Sequence, residues 1–269
     1  MNIKRIVSGL IGFPIVILVF IFGNVHVIDI IIAAIAAIST YEYIHCFKST
    51  GKAKPISWLC YLACVPIAVL HWIKSEYLIY IVAIFVPLAI LILFMHTIVT
   101  ELKITTIDIA VTAFEICYIV LFYAFVPMIY GSENGKLYIW YLVFIAWGTD
   151  VFAYFVGRAI GKHKFSKISP NKSIEGCIAG TVGAVLLSLA YTFVLNKFFN
   201  YSINYLIILG MSFVLSMIGQ IGDFSASSIK RYTGIKDFGN LIPGHGGMLD
   251  RFDSFIFIAP FAYFLLLLI

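Results

Sequence analysis

The stretch KRIVSGLIGFPIVILVFIFGNVHVIDIIIAAIAAISTYEYIHCF, residues 4–47, reads as two long apolar runs parted only by Gly23 and Asn24. A helix that crosses a bilayer needs about 20 mostly apolar residues, so each run is long enough to span. Two residues leave room only for a tight reversal, and the pair is therefore expected to form a helical hairpin. Lys4 and Arg5 ahead of the first run give it the look of a secretory leader. Its apolar part nevertheless exceeds the roughly 7–15 residues of such leaders, and no small-residue cleavage site follows. It is read as a retained first span.

Working outward, the same rule predicts nine spans, near residues 6–23, 25–47, 56–73, 77–99, 106–130, 137–157, 176–196, 203–222 and 253–269. The composition agrees: 62% of the 269 residues are hydrophobic, 12% are charged, and the mean hydropathy is +1.04. A soluble domain carries about 25% charged residues, so a soluble helical bundle is excluded. The fold class expected is an all-α polytopic integral membrane protein, with residues 1–269 forming one membrane domain. Repeats, linkers and low-complexity segments are missing from the sequence. The net charge of +5 resides in short loops between spans, which favours anionic headgroups as neighbours over nucleic acid. The five cysteines (Cys46, Cys60, Cys64, Cys117 and Cys177) lie in or beside apolar runs. They fit buried hydrophobes better than a zinc pattern, since no second pair or histidine completes Cys60 and Cys64.

With the N-terminus placed in the cytoplasm, the inner segments hold fifteen of the eighteen basic residues. Only Lys74, Lys136 and Lys197 fall outside. That asymmetry obeys the positive-inside rule. It also puts the two longest polar segments, near 158–175 and 223–252, on one cytoplasmic face.

The first polar segment belongs to WGTDVFAYFVGRAIGKHKFSKISPNKSIEG, residues 147–176. Asp150 lies inside an apolar run, where an ionisable group is costly unless paired or hydrated, and it is a functional candidate for that reason. Lys162, Lys164, Lys167 and Lys172 form a cationic patch, and Ser173 is placed to cap the next helix. GRAIGKH is no P-loop: one spacer residue is missing, His163 stands where a hydroxyl belongs, and no strand precedes it. In the second segment Asp223, Ser227 and Lys230 share a helix face. Gly234, Gly239, Gly244, Gly246 and Gly247 then break any helix around Pro243, and Asp250 and Asp253 open the last span. Carboxylates hold Mg2+, Mg2+ holds phosphate oxygens, and cations with glycine-loop amides neutralise the rest. The competing reading is a charged loop whose acids simply pair with its bases.

SSIKRYTGIKDFGNLIPGHGGMLDRFD, residues 227–253, resembles the signature of the phosphatidate cytidylyltransferases, also called CDP-diacylglycerol synthases. It meets every fixed position of that pattern, from Ser227 through Lys230, Arg231, Lys236, Asp237, Gly239, Pro243, His245, Gly246, Gly247, Asp250 and Arg251 to Asp253. Asp150, Tyr154, Gly157, Arg158, Gly161, Lys162, Ser169–Pro170, Lys172–Ser173 and Glu175–Gly176 resemble a second block of the family. The resemblance covers the second half of the chain, so residues 136–269 are expected to hold the catalytic helices and loops. Residues 1–135 resemble the family only in hydropathy and are read as scaffold or interface.

The resemblance implies transfer of CMP from CTP to phosphatidic acid, giving CDP-diacylglycerol and pyrophosphate. It implies Mg2+ on Asp223, Asp250 and Asp253, with room for a second cation such as K+. Asp223, Asp250, Lys230 and His245 are the expected catalytic residues. Lys162, Lys172, Ser173, Ser227, Arg231, Lys236, Gly246, Gly247, Arg251 and Asp150 are expected to bind or position substrate. A homodimer in the inner (cytoplasmic) membrane, with its site facing the cytoplasm, follows from the family and the charge asymmetry. A CTP-dependent lipid or polyprenol kinase and, further off, a transporter coupled through Asp150 are the competing functions. A CDP-alcohol phosphatidyltransferase is excluded, because its Asp-Gly-x-x-Ala-Arg segment does not occur.

Overall fold

The computed structural model describes residues 3–266 apart from Lys74, Leu102, Lys167, Pro243 and His245. Among the described residues there are nine helices and no strand. They are α1 (Ile3–Phe22), α2 (Val25–Ser49), α3 (Ser57–Ala68), α4 (Ser75–Val99), α5 (Thr106–Tyr130), α6 (Gly135–Ile160), α7 (Ile174–Phe198), α8 (Tyr205–Thr233) and α9 (Leu249–Leu266). Helices α2, α5, α6, α7 and α8 are long and apolar enough to cross a membrane. The protein is thus an all-α, multi-pass membrane protein. Its chain divides into two compact units: residues 1–131 with 233–250, and residues 132–232 with 251–269.

In the first unit α1 and α2 are parted only by Gly23 and Asn24, as expected. Asn24 caps α2 by accepting the Val27 N–H at 2.9 Å. The Tyr130 hydroxyl reaches the carbonyl oxygens of Phe20 and Gly23, at 3.1 and 2.7 Å, and so ties the last carbonyls of α1 to the end of α5. The span expected over 56–73 is shorter than the sequence suggests. Pro66 sits near the end of α3, and beyond Ala68 the backbone tightens into a 3-10 turn at Leu70–Trp72. Buried Asp29 fastens that turn, accepting from His71 through the backbone N–H at 3.0 Å and pairing with its ring Nδ1 at 2.7 Å. Helix α5 widens into a π-turn over Ile116–Leu121.

In the second unit α6 and α7 approach closely because α7 presents Gly176 and Gly180 to α6. A Cβ at Gly176 would lie 2.8 Å from the Ala153 carbonyl oxygen, and one at Gly180 would lie 2.7 Å from that of Thr149. Small residues four apart allow this backbone-to-backbone packing in an apolar setting. Hydroxyls and an amide bind α8 into the same unit: Thr149 Oγ1 to Ser216 Oγ at 2.7 Å, and Gln220 Nε2 to Thr181 Oγ1 at 2.9 Å. Helix α8 continues past the expected end at residue 222 to Thr233, which carries Asp223, Ser227 and Lys230 on regular helix.

Candidate active site

The segment between α6 and α7 folds back on itself. Phe165 donates its N–H to the Lys172 carbonyl at 3.0 Å, and Ile174 donates to the His163 carbonyl at 2.9 Å. Ser173 caps α7 as expected, its buried Oγ accepting the Gly176 N–H at 3.1 Å. Gly161 packs so closely on that hydroxyl that a Cβ would lie 2.4 Å from it. This tight corner fixes Lys172, whose ammonium pairs with the Asp223 carboxylate on α8. Burial pushes the Lys172 ammonium below the ordinary lysine range; the charges of Asp150 and Asp253 pull it back up, and Lys230 pushes it down. One half-buried ammonium therefore answers to three carboxylates of the second unit. Asp150 also accepts a long bond from the Ser254 hydroxyl, 3.4 Å.

Lys172 also stands over the ring of Phe224, 4.7 Å from its centroid, and Phe165 stacks on the same ring at 4.7 Å. Phe224 forms one wall of an apolar groove of about 980 Å3 between α7 and α8. Ile178, Val182, Leu186, Phe213 and Met217 line its length. A charged cluster thus sits at one wall of a greasy channel.

The first unit holds a different arrangement. After Thr233 the chain leaves α8 through Gly234 at φ +80°, a left-handed helix end that glycine adopts without steric penalty. The loop then returns on itself, with Ile242 donating to the Gly246 carbonyl at 2.9 Å and Gly246 at φ +86°. Asp250 Oδ2 accepts two backbone N–H groups, from Phe238 at 2.8 Å and from Gly247 at 3.0 Å. Glu42 on α2 accepts the next two, from Met248 and Leu249, each at 2.8 Å. Both carboxylates are buried.

The residues singled out from the sequence fall into place unequally. Asp150, Lys172, Asp223, Lys230 and Asp253 belong to the cluster of the second unit, while Asp250, Gly246 and Gly247 belong to the loop of the first. The Gly247 amide, expected to serve phosphate, is donated to Asp250 instead. Ser173 spends its acceptor on capping, and Ser227 is buried in α8. Arg231 donates through Nε to the Ile168 carbonyl at 3.2 Å, holding the α6–α7 segment. Lys162, Lys236 and Arg251 are exposed cations. His245, Pro243 and Lys167 lie outside the described residues. Glu42 was missed by sequence reasoning; its signal was an acid inside an apolar run, the criterion that had picked out Asp150.

The cytidylyltransferase family matches the chain over residues 3–269. The protein belongs to that family. Among its relatives, the phosphatidate cytidylyltransferase of Bacillus subtilis (strain 168) is 40% identical over 182 residues, 67% of this chain and 66% of the relative. That of Staphylococcus aureus (strain COL) is 38% identical over 174 residues, 64% of each chain. That of Staphylococcus haemolyticus (strain JCSC1435) is 37% identical over 177 residues, 65% of this chain and 66% of the relative. The matched stretch is thus just under two thirds of the length of these relatives.

Proposed function

We propose that this protein transfers CMP from CTP to phosphatidic acid, forming CDP-diacylglycerol and pyrophosphate. The observation that carries the reading is the apolar groove of about 980 Å3 whose wall, Phe224, lies beneath the Lys172 ammonium. A lipid with an anionic headgroup needs that pairing: acyl chains in the groove, phosphate at the cations. The names of the relatives support the same substrate.

In the reaction, a phosphate oxygen of phosphatidic acid attacks the α-phosphorus of CTP. The new P–O bond forms as the bond from that phosphorus to its bridging oxygen breaks, and the electron pair leaves with pyrophosphate. The attacking phosphate is already ionised, so no strong base is required. The difficulty is bringing two anions together, and that falls to positioning and fixed positive charge. Lys172 and Lys230, with Lys162, Arg231, Lys236 and Arg251, are the proposed partners of the phosphates. Asp150 and Ser227 are proposed to position substrate, and His245 to donate to a phosphate.

Mg2+ is proposed to draw one or two ligands from Asp223, Asp250 and Asp253, whose hard oxygen donors fit that ion. Among the described residues no three Asp, Glu, His or Cys side chains lie close enough to hold a metal ion by themselves. That suits Mg2+, which takes one or two protein carboxylates and fills its shell with substrate phosphates and water. When bound, the ion would neutralise phosphate charge and polarise the α-phosphorus. A second cation, nine membrane crossings, a cytoplasmic N-terminus, a site facing the cytoplasm of the inner membrane and a homodimer complete the proposal.

The test is direct. Purified full-length protein in detergent, given CTP, phosphatidic acid and Mg2+, is expected to release pyrophosphate and yield CDP-diacylglycerol, identified by mass. Release of CDP would assign a kinase instead, and no turnover across several detergents and lipids would remove the proposal.

A further inference from the structure

The head of a helix carries amides with no partner in the helix and a partial positive charge, which together attract anions. In a chain thought to bind two phosphorylated substrates, the head of α9 is therefore the obvious place to seat a phosphate. It is taken already. Three successive amides, of Gly247, Met248 and Leu249, are donated to Asp250 and Glu42, and both Glu42 oxygens are engaged. Glu42 comes from 206 positions away in sequence from Met248 and is only 3% exposed. The loop is shaped around it on two sides. A Cβ at Gly239 would lie 2.6 Å from Glu42 Oε1, and one at Gly247 would lie 2.5 Å from Oε2.

We infer that Glu42 is a positioning residue for the reaction: a built-in carboxylate that holds the head of α9, sets the direction of Asp250, and turns substrate phosphate away from these amides toward the side-chain cations. The inference rests on the proposed cytidylyl transfer, because it assigns Asp250 a part in that chemistry. A carboxylate is required on geometric grounds. It offers an acceptor to each amide, whereas glutamine offers one acceptor and turns an NH2 donor on the other N–H. A buried N–H left facing a donor is strongly disfavoured, so the loop would shift. The shift would reach Asp250 through Gly247, whose amide Asp250 accepts.

The experiment compares wild type with Glu42→Gln, using the full chain in detergent, by hydrogen exchange over residues 246–250 and by steady-state kinetics. Exchange at Met248 and Leu249 is expected to accelerate. The value of kcat is expected to fall about ten- to a hundredfold, as a small displacement of a catalytic group does. KM for phosphatidic acid should stay within about twofold, since ground-state lipid binding is left in place. The Mg2+ concentration for half-maximal rate should rise. Gly239→Ala, which drives a methyl against Oε1, should reproduce this pattern and serves if Glu42→Gln fails to fold. Unchanged exchange in either variant would overturn the clasp. Faster exchange with unaltered kcat would overturn the positioning role and leave Glu42 a structural anchor. The exchange measurement needs no substrate, so a wild type without pyrophosphate release would sink the proposed reaction while the clasp is still judged on its own.

Discussion

The two units of this protein solve one electrostatic problem in opposite ways. In the second unit, Asp150, Asp223 and Asp253 are balanced by side-chain cations, the ammonium of Lys172 with that of Lys230 beside it. In the first unit, Glu42 and Asp250 are balanced by backbone amides that cannot move without moving the chain. A side-chain ion pair can be exchanged for another ion or for a phosphate, whereas a carboxylate locked on amides is part of the framework. The first arrangement suits a place where charged ligands come and go, and the second suits a part that must hold still.

Substitutions that remove charge without changing shape probe this contrast hardest. Asp223→Asn and Asp250→Asn should each lower pyrophosphate release by about a hundredfold or more, the scale expected when a metal carboxylate is lost. They should differ in the backbone: hydrogen exchange over residues 246–250 stays near wild type in Asp250→Asn, because an amide oxygen still accepts the Phe238 and Gly247 N–H groups. Lys172→Met comes next, with a fall of about tenfold or more expressed mainly in KM for phosphatidic acid, as for a lost charge-assisted contact. If the loss appears in kcat alone, Lys172 does not meet the lipid phosphate.

A pH profile sharpens the same point. Burial holds the Lys172 ammonium below the ordinary lysine range, so it is protonated at low pH and surrenders its proton earlier than a free lysine as pH rises. Catalytic efficiency toward phosphatidic acid should therefore decline on the alkaline side before about pH 10.4, the ordinary lysine value. Lys172→Arg should move that decline upward, since guanidinium keeps its charge. The smallest effect belongs to the corner that holds Lys172. Ser173→Ala removes one helix cap, costing about 1 kcal/mol, and should lower the thermal midpoint by a few degrees with KM little altered.

Much of this was legible in the chain because membrane helices announce themselves by length and because charge stands out against an apolar background. The break at Gly23–Asn24, the cap at Ser173 and the shared face of Asp223, Ser227 and Lys230 all follow from local pattern. Contacts between residues distant in sequence were not legible. Glu42 shows in the sequence only as an acid inside an apolar run, and its partners, the Met248 and Leu249 amides, are set by the fold. The amides of the glycine-rich loop looked available for the same reason, because no sequence pattern tells whether a donor is already spent. The early end of α3 depends on Asp29 capturing the backbone of His71, a tertiary contact that overrides an apolar run.

The π-turn in α5 has a consequence of angular phase. A wide turn accommodates one residue beyond the regular α count, and every later side chain is advanced around the axis by that residue. Tyr123 and Tyr130 lie beyond it, one bonded to Ser39 at 3.0 Å and the other to the carbonyls at the end of α1. Deleting a single residue from Ile116–Leu121 would turn both rings by about 100° and strip both bonds at once. The junction of the first two helices is thus tied to Tyr130, 107 positions beyond Gly23, through an irregularity that lies between them.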